Sequence, residues 1–179
     1  MKVLVHTCCA PCLIYPLEFL REKDIDVTGF FYNPNIHPLE EYNRRKEAVE
    51  IISQDKDVKV IYPEYKPEEY FKLISNAEND SGRCAICWEM RLLKTALAAK
   101  EMEFDAITTT LLVSPYQDQQ LLQGIGEHIS EKENIDFYFK DFRSGFRKAH
   151  DEAKKLGIYC QRYCGCTYSE LERQKKRVK

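Results

Sequence analysis

Short apolar runs alternate with longer amphipathic stretches along most of the chain. Lys2 to Thr7 (KVLVHT) predicts a first strand, apolar enough to lie inside a sheet covered on both faces. A helix is expected from near Pro11, where proline tolerates a first-turn position, through Tyr15, Leu17, Phe19 and Leu20 to a charged stop at Arg21–Asp24. Val27 to Tyr32 reads as a second strand, followed by the turn-rich loop NPNIHP. Glu40 to Ser53 then predicts an amphipathic helix, Val58 to Tyr62 a third strand and Glu68 to Ile74 a short helix. A polar loop, Asn76 to Arg83, delivers Cys84 to a helix running to about Lys100. Phe104 to Leu112 reads as a strand, Gln117 to Ile125 as a helix and Ile135 to Phe139 as a fifth strand. A further helix to Leu156, a Gly157 stop and a basic terminal helix complete the pattern.

A β-α repeat of this kind predicts an α/β fold with a parallel sheet and helices on both faces. Ligands in such sheets bind beyond the carboxyl ends of the strands, where the CCAPC, NPNIHP and TTTLLVSPY junctions would gather. With 179 residues, 44% of them hydrophobic, the chain is long enough for one substantial core and too short for two. We expect a single domain, with a Rossmann-like core over 1–156 and a cysteine-rich, basic extension over 157–179. The net charge of −2 announces no global affinity for nucleic acid and leaves a local basic patch open. No run approaches a membrane span, and the three apolar residues after Met1-Lys2 are too few for a secretory leader, so a cytoplasmic, reducing compartment is expected.

In that setting clustered thiols point to metal binding or redox catalysis. All eight cysteines fall in three clusters: Cys8, Cys9 and Cys12; Cys84 and Cys87; Cys160, Cys164 and Cys166. Iron–sulfur, zinc and metal-free dithiol chemistry all remain open on spacing alone. Adjacent Cys8 and Cys9 are expected to diverge and so to fit one tetrahedral ion poorly, whereas a multi-iron cluster offers separate corners. Cys84 and Cys87, at i and i+3, share one helix face near its positive end, where thiolate is favoured. A bond between Cys164 and Cys166 would close a very small, reducible ring, which suits a redox pair; with Cys160 the same thiols could instead serve a metal.

Other polar residues carry weaker signals. His6 reads as a hydrogen-bonded core histidine. Asp118, Asp141 and Asp151 are candidate acids or ligands, each competing with a reading as helix cap or surface charge, and Tyr116 and Tyr163 are further candidate acids or ligands. CCAPC lacks both glycine and a Walker lysine, so an ATP loop is not predicted. Arg173, Lys175, Lys176, Arg177 and Lys179, joined by Arg143, Arg147, Lys148, Lys154, Lys155 and Arg162, form either a solvated tail or a surface for RNA phosphates.

Taken together, HTCCAPC, FFYNPNIHPLEEYNRR, RCAICWEMRL, TTTLLVSPYQ and YCQRYCGCTYSE resemble the cobalamin-independent epoxyqueuosine reductases, the QueH family, over nearly the whole chain. The resemblance implies a fold of the nucleotide α-hydrolase (HUP) group and two-electron reduction of the epoxide of epoxyqueuosine, at the wobble position of tRNA, to queuosine. It also implies a [4Fe–4S] cluster on Cys8, Cys9, Cys84 and Cys87. Cys164 and Cys166 would be a redox-active pair, and Cys12 and Cys160 reserve ligands for the cluster or for an additional iron. A reducing partner is required, and Tyr32, Tyr116 or Trp88 would stack on the base. The alternatives are an iron–sulfur desulfidase acting on a thiolated nucleobase and a noncatalytic, zinc-stabilised RNA-binding module.

Overall fold

The computed structural model describes residues 1–77 and 82–177, without the side chains of Lys176 and Arg177. Residues 78–81 of the expected polar loop and Lys179 of the basic tail lie outside the described residues. Five strands, β1 (Lys2–His6), β2 (Asp26–Phe30), β3 (Val60–Ile61), β4 (Ala106–Thr109) and β5 (Asp136–Phe137), form one sheet in the order β3-β2-β1-β4-β5. Every pairing is parallel, with Val3 opposite both Val27 and Ala106. The helices are α1 (Ala10–Arg21), α2 (Leu39–Asp55), α3 (Pro67–Ile74), α4 (Arg83–Glu101), α5 (Gln119–Glu133), α6 (Phe146–Lys155) and α7 (Thr167–Arg177).

The alternation of side chains along β1 explains why both faces need cover. Val3 and Val5 pack with Leu13 and Leu17 of α1, Val49 and Ile52 of α2 and Ala149 of α6. Leu4 points the other way, to Leu92 and Ala96 of α4 and Ile129 of α5. The expected Rossmann-like α/β sheet is therefore present, and its order reverses between β1 and β4.

Three elements differ from the sequence pattern. The strand expected over 104–112 stops at Thr109, because the Thr109 hydroxyl accepts the Leu111 N–H at 3.1 Å and tips Thr110–Val113 into a 3₁₀ turn. The edge strands β3 and β5 keep only two residues each. Helix α5 runs to Glu133, beyond the expected Ile125, and ends where Asn134 takes φ 51°. Gly126 inside it is a packing residue: a Cβ there would lie 2.2 Å from the Phe137 ring.

After α6, Gly157 turns the chain with φ +67°. The following segment returns to the core, with Ile158 buried among the α1 and α2 side chains and the Tyr159 hydroxyl donating to Glu41 Oε2 at 2.7 Å.

Candidate thiol site at the carboxyl ends of the strands

β1 ends at His6, and α1 begins at Ala10 with extended Cys9 as its N-cap and proline in its first turn. This abrupt strand-to-helix turn carries Cys8, Cys9 and Cys12, whose Sγ atoms all lie within 4.8 Å of one another. The Cys8 and Cys9 sulfurs are 3.7 Å apart. The expectation that adjacent cysteines diverge is thereby corrected: it holds for a regular strand, whereas this pair sits on the turn out of one. Cys9 and Cys12 are buried and Cys8 is half-buried.

Thr110, just beyond β4, spans the reversal of strand order. Its hydroxyl accepts the Cys8 N–H at 2.9 Å and donates to the Cys8 sulfur at 3.2 Å, while Gln161 Nε2 donates to the Cys9 sulfur at 2.8 Å. Hydrogen bonds from Cys12 and Cys9 hold the Cys8 thiol well below its usual range, against the effect of burial. Cys12 is raised by those same thiol contacts, and Cys9 by burial. His6 lies beneath the triad, fully buried with Nδ1 2.9 Å from Thr109 Oγ1, and burial with the nearby Arg91 charge keeps it neutral with a pKa of about 3. It is the core histidine that its strand position suggested.

The second group is assembled from separate elements. Cys87 of α4 and Cys166, at the start of α7, pack with Tyr70 and Ile74 of α3. Cys164 and Cys166 are free thiols whose sulfurs are 3.8 Å apart. Ser169 N–H donates to the Cys166 sulfur at 3.4 Å, and the Cys164 thiol lies 3.1 Å from Ser169 Oγ. Hydrogen bonds from the Cys164 thiol and Ser169 bring Cys166 down to about 5, while the bond to Cys166 raises Cys164. At the α4 terminus, burial outweighs the helix end: Cys87 rises to about 11, and desolvation raises Cys84 as well.

Two contacts make the groups neighbours. Trp88, next to Cys87 in the chain, packs with Cys9 and Cys12. Arg91, one turn further along α4, exerts its charge on both Cys87 and His6. Cys160 stands apart from the triad, its sulfur 3.5 Å from Ile158 O.

The remaining candidates are dispersed. Asp118 caps α5 by accepting the Leu121 N–H at 3.0 Å. Asp141 is held below the usual carboxylate range by its two-oxygen bond to Arg143, and exposed Asp151 lies 3.8 Å from Lys154. Tyr116 is 84% exposed and meets Phe146 edge-on; Phe146 in turn packs beside His150 and the Cys9 cluster. Tyr32 and Trp88 are buried, with the Tyr32 hydroxyl donating to Glu69, so neither offers a free face to a base. The Tyr163 hydroxyl donates to His37 O at 2.6 Å. Thr110, Gln161, Glu41 and Arg45 were not singled out from the sequence, although each lies within a stretch that carries the family resemblance.

With this geometry in place, comparison with known proteins is direct. Residues 3–172 match the family model described as Epoxyqueuosine reductase QueH. The chain is 39% identical to "Epoxyqueuosine reductase QueH" of Thermotoga maritima, over 97% of this chain and 93% of that one. It is 37% identical to the protein of that name from Dehalococcoides mccartyi, over 96% and 94%, and 33% identical to that of Streptococcus pyogenes, over 94% and 70%. A solved structure titled as a predicted subunit of tRNA methyltransferase from Methanocaldococcus jannaschii shares the fold, with TM-score 0.54 and 14% identity over 86% of this chain and 74% of that one. The match over residues 3–172, a span that contains all three cysteine clusters, shows that the protein belongs to the QueH family of epoxyqueuosine reductases.

Proposed function

We propose that the chain is an epoxyqueuosine reductase acting on tRNA, converting the epoxide to the cyclopentene of queuosine. The observation that carries this reading is the family match over residues 3–172, a span containing all eight cysteines. Opening the epoxide to an alkene consumes two electrons and two protons and releases one water, so the site must supply all four.

The donor set fits an iron–sulfur cluster. The sulfurs of Cys8, Cys9 and Cys12 lie within 4.8 Å of one another, and Trp88, next to Cys87 in the chain, packs against Cys9 and Cys12, so soft thiolate donors gather at this strand end. We assign a [4Fe–4S] cluster to Cys8, Cys9, Cys84 and Cys87, with Cys12 and Cys160 in reserve or on an additional iron. When bound, such a cluster supplies electrons and a Lewis-acidic iron.

The protein's own groups do the rest. Thr110 and Gln161 fix the Cys8 and Cys9 sulfurs, and the packing of Trp88, Leu112, Val113 and Phe142 keeps water from behind them. Cys164 and Cys166 form the redox pair, returned to the dithiol by an external thiol reductant. At the rim, exposed Tyr116 meets the nucleoside, as stacking surface or as proton donor. The exposed α6 side chains Arg147, Lys148 and Lys155, with Arg173 and Lys175 of α7, meet tRNA phosphates. Helix α6 passes near the triad, since Cys8 lies within electrostatic reach of its His150.

The test is anaerobic reconstitution with iron and sulfide, followed by incubation with epoxyqueuosine-containing tRNA and a strong reductant. The expected result is a brown protein and loss of one oxygen from the modified nucleoside by mass spectrometry. Turnover of a thiolated base in place of the epoxide would establish the desulfidase; a colourless zinc protein without turnover would leave only RNA binding.

A further inference from the structure

Beneath the Cys164–Gly165–Cys166 loop lies an ion pair that the reduction itself does not require. Glu41 and Arg45 stand one turn apart on α2, 7% and 2% exposed. Burying both charges is costly unless every donor and acceptor finds a partner. Here Arg45 Nε donates to Glu41 Oε1 at 2.7 Å, Nη1 to Cys164 O at 3.0 Å and Nη2 to Tyr163 O at 3.0 Å, while Tyr159 satisfies the other Glu41 oxygen. The His37 N–H donates to Gly165 O at 2.8 Å, so three consecutive carbonyls of the loop are held. Only glycine fits at 165: its φ is +124°, and a Cβ would lie 2.9 Å from Ile36 Cγ1 and 3.2 Å from Arg45 Nη1.

We propose that Arg45 is a positioning residue for the Cys164–Cys166 dithiol, clamping the loop so that its two sulfurs stay close enough to join. The proposal rests on the redox reading of that pair. Oxidation forms one S–S bond and releases two protons and two electrons, which match the demand of the epoxide; an external dithiol restores the thiols and itself becomes a disulfide. A free C-G-C loop samples many sulfur separations, and the clamp removes that search from the cost of ring closure. Loss of the clamp is expected to lower the disulfide-to-dithiol ratio by about tenfold, which corresponds to about 30 mV for a two-electron couple.

Trypsin makes the measurement clean, because the peptide Tyr163–Arg173 contains Cys164 and Cys166 and no other cysteine. The full-length reconstituted protein is equilibrated in glutathione buffers of graded ratio, quenched, alkylated and digested, and that peptide's oxidation state is read by mass. Arg45→Met is expected to give the tenfold shift toward dithiol, and Arg45→Lys, which keeps the charge but not the two-carbonyl fork, a smaller shift of the same sign. Gly165→Ala reaches the loop from its other side and is expected to shift it likewise, so the result stands even if Arg45→Met does not fold. A titrating wild type with Arg45→Lys and Gly165→Ala at the same midpoint, or displaced toward disulfide, overturns the clamp alone. A wild-type peptide that stays dithiol at every ratio overturns the redox reading and the clamp with it.

Discussion

The two thiol groups are built in opposite ways. Cys8, Cys9 and Cys12 occupy five consecutive residues at the end of the central strand, on a turn whose shape β1 and α1 dictate. Cys87 and Cys166 come from two distant stretches of chain, and their meeting depends on α3, α4 and the loop fastened to α2. A turn or helix face of fixed geometry, such as those carrying Cys8, Cys9, Cys84 and Cys87, suits permanent ligands; the tethered loop carrying Cys164 and Cys166 suits thiols that must change covalent state. The charges follow the same division. In the triad the thiol held below its usual range is Cys8, bonded to Thr110, while in the loop it is Cys166, bonded to the Ser169 N–H.

The strongest way to break this comparison is to delete one sulfur from each group. Cys8→Ser is expected to remove bound iron and reduce turnover by more than about 100-fold, because loss of a ligand exceeds the loss of a supporting hydrogen bond. Cys166→Ser is expected to keep its iron and lose turnover with a thiol reductant. Equal iron loss in both variants would make Cys166 a metal ligand and end the distinction.

A finer comparison asks how much each sulfur depends on its hydrogen-bond donor. Thr110→Val keeps the shape of the side chain and removes the donor to Cys8; metal affinity is expected to fall by about 10-fold or more. Ser169→Ala keeps the N–H that reaches Cys166 and is expected to leave metal content unchanged. Iron titration of the two variants side by side checks both.

The smallest effect serves as the control. Asp141 and Arg143 form an exposed pair outside both groups, and Asp141→Asn is expected to cost only about 0.2–1 kcal/mol in chemical denaturation. Because the native carboxyl is held below its ordinary range, this small contribution is complete above the ordinary carboxylate range and is lost as the pH falls through the depressed native value. A large activity loss in Asp141→Asn would move this carboxylate back among the groups that act on substrate.

Much of the architecture was legible in the residues. Alternating apolar runs predicted the parallel sheet, and CCAPC after the first strand marked the sheet end where the site lies, because strand-to-helix junctions of such sheets share one edge. His6 could be read as a core residue from its neighbours Val3, Leu4 and Val5. The extent of β4 and α5 could not be read, because a threonine hydroxyl taking a backbone N–H and a glycine packed under Phe137 outweigh local propensity.

The sequence by itself determined which atoms could do chemistry here: three cysteine clusters, with the first at the end of a central strand. Only the tertiary structure decided which clusters face each other and what supports them. Thr110 lies 102 residues from Cys8, Gln161 lies 152 from Cys9 and Arg45 lies 119 from Cys164. Such partners leave no periodic trace, since a hydrogen bond across the fold constrains one residue at each end and nothing between.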